Sequence, residues 1–193
     1  MHSRAGSHSR RSPTGQSLVE FAIVVPILLV LIGGAVQFGV IFAARNGLTQ
    51  IARDTARWAA TQINSPCDSA ATATAPAVPQ PLTKADSIAT DSSLLGYTSG
   101  TWNSTNFSFA DNTPLPASPP NGEGVEVVWS HGTDPCPPLS NSTTAYVTVR
   151  VTHTVPVLLP GLQYLPGLGT CDGAGCHIAL SATSMFRMEP PPP

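Results

Sequence analysis

The sequence predicts an α+β fold in which one long N-terminal helix packs on a small antiparallel sheet. Two observations support this fold class. An uncharged segment near the N-terminus continues into a segment with apolar residues at spacings of three and four, which is typical of a helix. Beyond residue 120 the chain alternates apolar and polar side chains, which is typical of strands.

The first half of the long helix is apolar enough to cross a membrane. From Phe21 to Ala44 there are 24 residues without a formal charge, and Gln37 is the only strongly polar side chain among them. A helix rises about 1.5 Å per residue and the hydrocarbon core of a bilayer is about 30 Å thick, so about 20 such residues are enough. The sequence therefore predicts a single membrane span and a lipid bilayer as a partner.

Local signals predict where this helix begins and how far it extends. Ser17 with Glu20 three residues later forms a capping box, which indicates a helix start, and Pro26 predicts a kink. An amphipathic pattern follows the span, with apolar or small residues at Leu48, Ile51, Ala52, Thr55, Trp58 and Ala59. We expect one helix over residues 16–61, whose outer half lies on the sheet of the same chain.

Three strands are expected within residues 121–189. The first contains Val125, Val127 and Trp129, the second covers residues 145–155, and the third runs from about 177 to 188. The connections between them are rich in Pro and Gly and contain no helical pattern, which indicates antiparallel neighbours.

The remaining chain divides into three parts. Residues 1–15 form a basic leader, and residues 190–193 form a proline tail. Residues 62–120 are rich in Ser, Thr and Pro and read as a variable loop region. Within it, residues 83–95 predict a short helix that Gly96 closes.

The charges are divided between the two halves of the chain. Residues 1–60 carry a net charge of +4, and residues 61–193 carry −6. Binding of nucleic acid requires a basic surface, so the second part is not expected to bind it. Nothing in it resembles a nucleotide-binding loop, and no small-molecule substrate is predicted.

All four cysteines follow the predicted span, at Cys67, Cys136, Cys171 and Cys176. An even number on one side of a membrane indicates disulfides made in an oxidising compartment, although free thiols in a reducing cytoplasm are the alternative. Four cysteines allow three pairings, and the sequence does not decide between them. The pairing Cys171–Cys176 with Cys67–Cys136 is favoured.

Arginines do not decide the orientation of the span. Three precede it and three follow it within about 15 residues of its end, so the positive-inside rule gives a tie. These are Arg4, Arg10, Arg11, Arg45, Arg53 and Arg57. The cysteines and the acidic C-terminal part favour an N-terminus inside and an extracytoplasmic C-terminal domain.

The segment Gly-Gln-Ser-Leu-Val-Glu-Phe at residues 15–21, followed by an apolar helix with Pro26, resembles the prepilin signal of type IV pilin-like proteins. With the stalk at 48–57 and the ending at 182–189, the chain more closely resembles the TadE family of tight-adherence (Flp-type) pilus assembly proteins. This resemblance implies a pilin-like fold, a bacterial cytoplasmic membrane, and other pilus-machine subunits or pilins as partners. It also implies that a prepilin peptidase cleaves after Gly15, so that the mature chain begins at Gln16.

Glu20 has two interpretations. As an assembly residue, together with Phe21 and Pro26, it would pair with an N-terminal amine, because an ionised carboxylate in hydrocarbon costs several kcal/mol unless it is paired. As a helix cap, it would only interact favourably with the helix dipole. The position of Gly15 favours the assembly interpretation.

Three classes of function remain open. The favoured one is a minor pilin-like component of a tight-adherence machine without catalytic activity, cofactor or metal. The second is an independent membrane-anchored extracellular binding module or adhesin. The third is an enzyme that uses His131, His153 and His177, but the sequence contains no nucleophile elbow or metal pair.

Overall fold

The computed structural model describes residues 14–62, 80–92, 94–111, 115, 123–130, 146–158, 170–172 and 175–187. It has an α+β arrangement, with a long N-terminal helix packed on a sheet, which confirms the predicted fold class. Its helices are α1 (Thr14–Gln62) and α2 (Gln80–Asp91). The strands are β1 (Phe107–Asp111), β2 (Gly124–Ser130), β3 (Tyr146–Pro156), β4 (Thr170–Asp172) and β5 (Gly175–Arg187).

The five strands form one sheet in the order β1-β2-β3-β5-β4. The three predicted strands are β2, β3 and β5, and they pair antiparallel as expected. The strand β1 pairs parallel with β2, so the sheet is mixed rather than purely antiparallel. The strands β1 and β4 are additional to the prediction, because strands of five and three residues are too short to show a clear alternation.

One core joins α1 and α2 to the sheet. The side of α1 that packs on β3 and β5 carries mostly alanines, which allow the helix to approach the strands closely. Its fully buried members include Leu48, Ile51, Ala52, Thr55 and Ala59, as the amphipathic pattern predicted. Opposite them lie the inward side chains of the strands, among them Val127, Trp129, Val147, Val149 and Val151.

Two helix boundaries differ from the prediction. The helix α1 begins at Thr14, so Ser17 is its fourth residue and cannot be an N-cap. The predicted capping box of Ser17 and Glu20 is therefore wrong for the uncleaved chain, in which the residues before Ser17 supply the first turn. The helix α2 lies at 80–91 rather than 83–95, because the chain turns at Ser92 and Leu94 folds back towards Gly47 of α1.

Gly124 is required where β2 starts. Its φ is +150°, and a Cβ at this position would lie 2.2 Å from the carbonyl oxygen of Asn106. The same oxygen accepts a hydrogen bond of 3.2 Å from the amide of Val125, which holds the start of β1 against β2. Only glycine allows this close approach.

Candidate functional site

The predicted processing residues lie in the first turn of α1. Gly15 is exposed, and a side chain at its position would meet no atom within 4 Å. Gln16 follows it in the same turn. Gly15 thus lies close to the start of the helix, where glycine weakens helical structure by about 1 kcal/mol relative to alanine.

Glu20 and Phe21 lie on the exposed surface of α1, one turn beyond Gly15. Phe21 is 67% exposed. The structure therefore places the carboxylate of Glu20 at the start of the apolar segment, as the sequence indicated. It brings no residue of the sheet to this end of the helix within the described part of the chain.

The N-terminal half of α1 is an apolar cylinder without protein around it. Most of its large hydrophobic side chains between Leu18 and Phe42 are between 50% and 74% exposed. The helix has a mean hydropathy of 2.6 over its most apolar 18-residue window, none of which is buried. A core helix of a soluble protein would be mostly buried, so this surface is consistent with a single-pass membrane anchor.

Pro26 lies inside this cylinder, and α1 remains helical on both sides of it. Proline has no amide hydrogen, so the carbonyl of Ala22 lacks its usual partner within the helix. Membrane helices tolerate such a site. The small residues Gly34 and Gly39 lie further along, with no atom within 4 Å of a Cβ placed at either position.

Burial begins at Gln37, where the sheet first reaches α1. Gln37 is only 3% exposed, whereas Val36 and Phe38 beside it are 55% and 74% exposed. Its amide oxygen accepts a hydrogen bond of 2.8 Å from the amide of Leu158, and its amide nitrogen donates one of 3.4 Å to the carbonyl of Pro156. Gln37 thus fastens the end of β3 to the helix. The sequence marked it only as a lone polar residue, which is the signal that could have identified this role.

His153 lies in a polar cluster inside the domain. It is 1% exposed, and its Nε2 donates a hydrogen bond of 3.1 Å to the carbonyl of Leu95. Its Nδ1 lies 3.2 Å from Oε1 of Glu123, at ion-pair distance. Tyr97 and Trp102 pack edge-on against the imidazole, with ring centroids 5.7 and 6.5 Å from it.

Two carboxylates of this region have lowered pKa values. Burial alone would raise the pKa of Glu123, but contact with His153 and hydrogen bonds from the hydroxyl and amide of Thr154 lower it overall. Burial likewise opposes the lowering of the Asp86 pKa, which hydrogen bonds from Tyr97, Gly100 and Ser99 produce. Burial and the bond to Asp86 raise the pKa of the Tyr97 hydroxyl.

This cluster has the character of a structural core. His153 does not reach the surface, and His131, the first of the three histidines of the enzyme hypothesis, lies outside the described residues. Half-buried His177 lies opposite Pro156 at the start of β5. Across the ranges described, no group of three His, Cys, Asp or Glu side chains could hold a metal ion.

A buried ion pair joins β2 and β3 elsewhere in the sheet. Nε of Arg150 lies 2.5 Å from Oε2 of Glu126, directly opposite it in the strand register. The side chains are 11% and 1% exposed, respectively. Removal of one partner of such a pair is costly because it leaves a buried charge uncompensated, so we assign this pair to the fold rather than to a site.

The cysteines are only partly described. A disulfide joins Cys171 and Cys176, and these residues are directly opposite each other in β4 and β5. This is the shorter of the two pairings that the sequence favoured. Cys67 and Cys136 lie outside the described residues, as do the leader up to residue 13 and the proline tail.

The chain was compared with models of known protein families. The family model described as TadE-like protein matches residues 15–57, as the sequence resemblance led us to expect. The matched range contains Gly15, Glu20, Pro26 and most of the half of α1 that packs on the sheet, and it leaves out the sheet itself. No curated protein and no solved structure matches the chain.

Proposed function

We propose that this chain is a minor pilin-like component of a tight-adherence pilus or secretion machine, that it is not catalytic, and that it acts in pilus biogenesis. One observation carries the proposal: the apolar cylinder and the core-forming stalk are one continuous helix, and residues 15–57 of it match the TadE-like family model. A TadE-like segment suggests a component associated with Tad pili.

The continuity of α1 favours a permanent anchor over a removable signal sequence. Both would be apolar and close to the N-terminus. However, the same helix supplies Leu48, Ile51 and Ala52 to the core of the domain, where each is fully buried. Cleavage within the apolar cylinder would leave the domain attached to nothing in the membrane. Cleavage after Gly15 would leave the anchor intact.

Cleavage at this position would also create a charged group close to Glu20. The new ammonium at Gln16 would lie about 6 Å from Glu20 along the helix axis. A neighbouring subunit displaced by about that distance would place its own ammonium against the carboxylate. Since an ion in hydrocarbon costs several kcal/mol without a partner, this pairing would fix the axial register of adjacent subunits.

The proposed topology follows from this chemistry. A prepilin peptidase acting at the cytoplasmic face would put the N-terminus inside, and the sheet domain would then be extracytoplasmic. The disulfide between Cys171 and Cys176 supports this side, because disulfides persist in oxidising compartments. The partners would be the peptidase, the bilayer, and pilins or other subunits of the machine.

The N-terminus of the mature protein tests the proposal. We expect mass spectrometry to find a chain that starts at Gln16 in cells with the prepilin peptidase, and at Met1 in cells without it. Gly15→Val should prevent the cleavage, whereas Gly6→Val, a matched change within the leader, should not. A chain that keeps residues 1–15 in both strains would contradict the proposal and favour a plain membrane-anchored binding module.

A further inference from the structure

The contact between Gln37 and the end of β3 lies within the apolar segment of α1 that is proposed to span the membrane. Gln37 belongs to the uncharged segment from Phe21 to Ala44, yet both polar groups of its amide are bonded to the backbone of residues 156 and 158. The end of the sheet domain therefore lies beside a part of α1 that is apolar on its other sides, where Val36 and Phe38 are exposed.

Helix geometry relates this contact to the bilayer. A hydrocarbon core of about 30 Å spans about 20 residues, so a core that starts at Phe21 ends near Val40. Gln37 would then lie about 4 to 5 Å inside the hydrocarbon. A core that ended before Gln37 would be only about 24 Å thick, and it would leave the side chain of Phe38, which is 74% exposed, outside the hydrocarbon.

The chemistry of this end of the domain fits a lipid environment. Leu158 is 55% exposed and Leu95 is 48% exposed, and the neighbouring residues Pro156 and Val157 carry no charge. A Cβ placed at Gly96, next to Leu95, would lie 3.6 Å from Cδ of Pro156, so these residues are neighbours on one surface. A polar side chain such as Gln37 is tolerated at this depth because the domain satisfies its hydrogen bonds.

Two charged residues limit how deep the surface can lie. Arg45 is exposed on α1 about 12 Å beyond Gln37, within reach of lipid phosphates. The carboxylate of Glu123 is 22% exposed and accepts a hydrogen bond of 3.1 Å from the amide of Thr154, two residues before Pro156. An ionised carboxylate is costly in hydrocarbon, so the part of the domain behind this surface must lie in the headgroup region.

We propose that the surface formed by Leu95, Pro156, Val157 and Leu158 lies at the boundary between the headgroups and the acyl chains of the bilayer, as a second membrane contact besides α1. The inference relies on the proposed single span. The partner of this surface is a phospholipid bilayer, and the apolar side chains of the surface reach the boundary of the acyl chains. The domain would then have a fixed height and tilt relative to the membrane before any assembly.

Photocrosslinking of the full chain in bilayers of phosphatidylcholine and phosphatidylglycerol tests this contact. A diazirine amino acid replaces Leu158, Leu29 or Met185 in separate variants. Leu29 lies in the span and is 62% exposed, so it reports on the anchor. Met185 is the matched control, because it is 63% exposed but lies opposite Thr148, about 26 Å along β3 from Pro156.

We expect lipid adducts at positions 29 and 158, with at least about five times more at 158 than at 185, because contact with acyl chains rather than water determines the yield. Adducts at 29 with only the control yield at 158 would overturn the second contact and leave the anchor standing. An absence of adducts at 29 would overturn both the span and this inference. Adducts at 158 to a second protein copy instead of lipid would also overturn it.

Discussion

The side-chain oxygen of Gln37 accepts a hydrogen bond of 2.8 Å from the backbone nitrogen of Leu158, which lies 121 positions later in the chain. This bond and the one to Pro156 are made at the point where α1 changes from an exposed helix to a core helix. A side chain in the apolar segment therefore completes the hydrogen bonding at the end of a strand.

Replacement of Gln37 by leucine should destabilise the domain although it makes the anchor more apolar. The change leaves the amide of Leu158 and the carbonyl of Pro156 without these partners, which should cost about 1–3 kcal/mol. Thermal unfolding of the full chain in detergent micelles measures this loss. Val36→Leu is the matched control, because Val36 is exposed and should be insensitive. Equal melting temperatures for both variants would contradict the assigned role.

Gly124→Ala should destabilise the protein more than Gly100→Ala. Both glycines have a positive φ, of +150° and +86°, so each variant is strained by about 1–3 kcal/mol. Only at Gly124 would the new Cβ also collide with backbone, at 2.2 Å from the oxygen of Asn106, whereas nothing lies within 4 Å at Gly100. Denaturant unfolding of the two variants measures the difference. A smaller loss at Gly124 would show that β1 can move away without cost.

Stability should fall in acid because of Glu123 and Asp86. Their pKa values are lower in the folded protein than in the unfolded chain, so the unfolded chain takes up protons first as the pH falls. This contribution is complete above the ordinary carboxyl pKa, at about pH 4.5, and is lost as the pH falls through the lower folded values.

Glu123→Gln should make the acid-induced loss of stability shallower, and also lower the stability at neutral pH. Asp91→Asn is the control, because Asp91 is exposed at the end of α2. Unfolding free energies measured between pH 3 and pH 7 test both variants. The role of Glu123 would be refuted if its variant kept the acid slope of the parent protein.

Glu20→Ala should leave membrane insertion intact and abolish assembly. The change removes a carboxylate that would cost several kcal/mol in hydrocarbon, so the anchor itself should insert at least as well. Glu20→Asp keeps the negative charge and should retain part of the pilus assembly. Fractionation of membranes and electron microscopy of pili provide the two measurements. Normal piliation in the alanine variant would contradict the assembly role of Glu20 and leave only its interaction with the helix dipole.

The parts of the fold with a long regular pattern could be predicted from the sequence. The helix α1 and the strand β3 each repeat their apolar residues over more than ten positions, so local chemistry determines their structure. The short strand β1 could not be predicted, because its conformation depends on pairing with β2 through Gly124, a tertiary contact. The start of α1 was predicted two residues too late, because the residues that precede the predicted cap at Ser17 are also helical.

Some residues of the candidate site could likewise be predicted from the sequence, whereas others are brought together only by the fold. Gly15 and Glu20 were predicted from a linear motif and stay predictions, although the family match includes both positions. The contact of Glu123 with His153 depends on the register of β2 on β3, which places Gly124 opposite Thr152 and so brings the preceding residue to His153. No spacing in the sequence encodes this register. The role of Gln37 could not be predicted either, because its hydrogen-bond partners become apparent only once the end of β3 is placed against α1.

The unbroken course of α1 has a mechanical consequence. Because no loop separates the anchor from the core, tension applied to the N-terminal end passes along one axis into the domain. The contact between α1 and the sheet, from Ala44 to Ala59, is about 24 Å long and would be loaded in shear, which spreads the force over many side chains. The weakest point against bending is Pro26, in the exposed half. A force applied at an angle to this axis should therefore bend the anchor at Pro26 while the domain moves as one body.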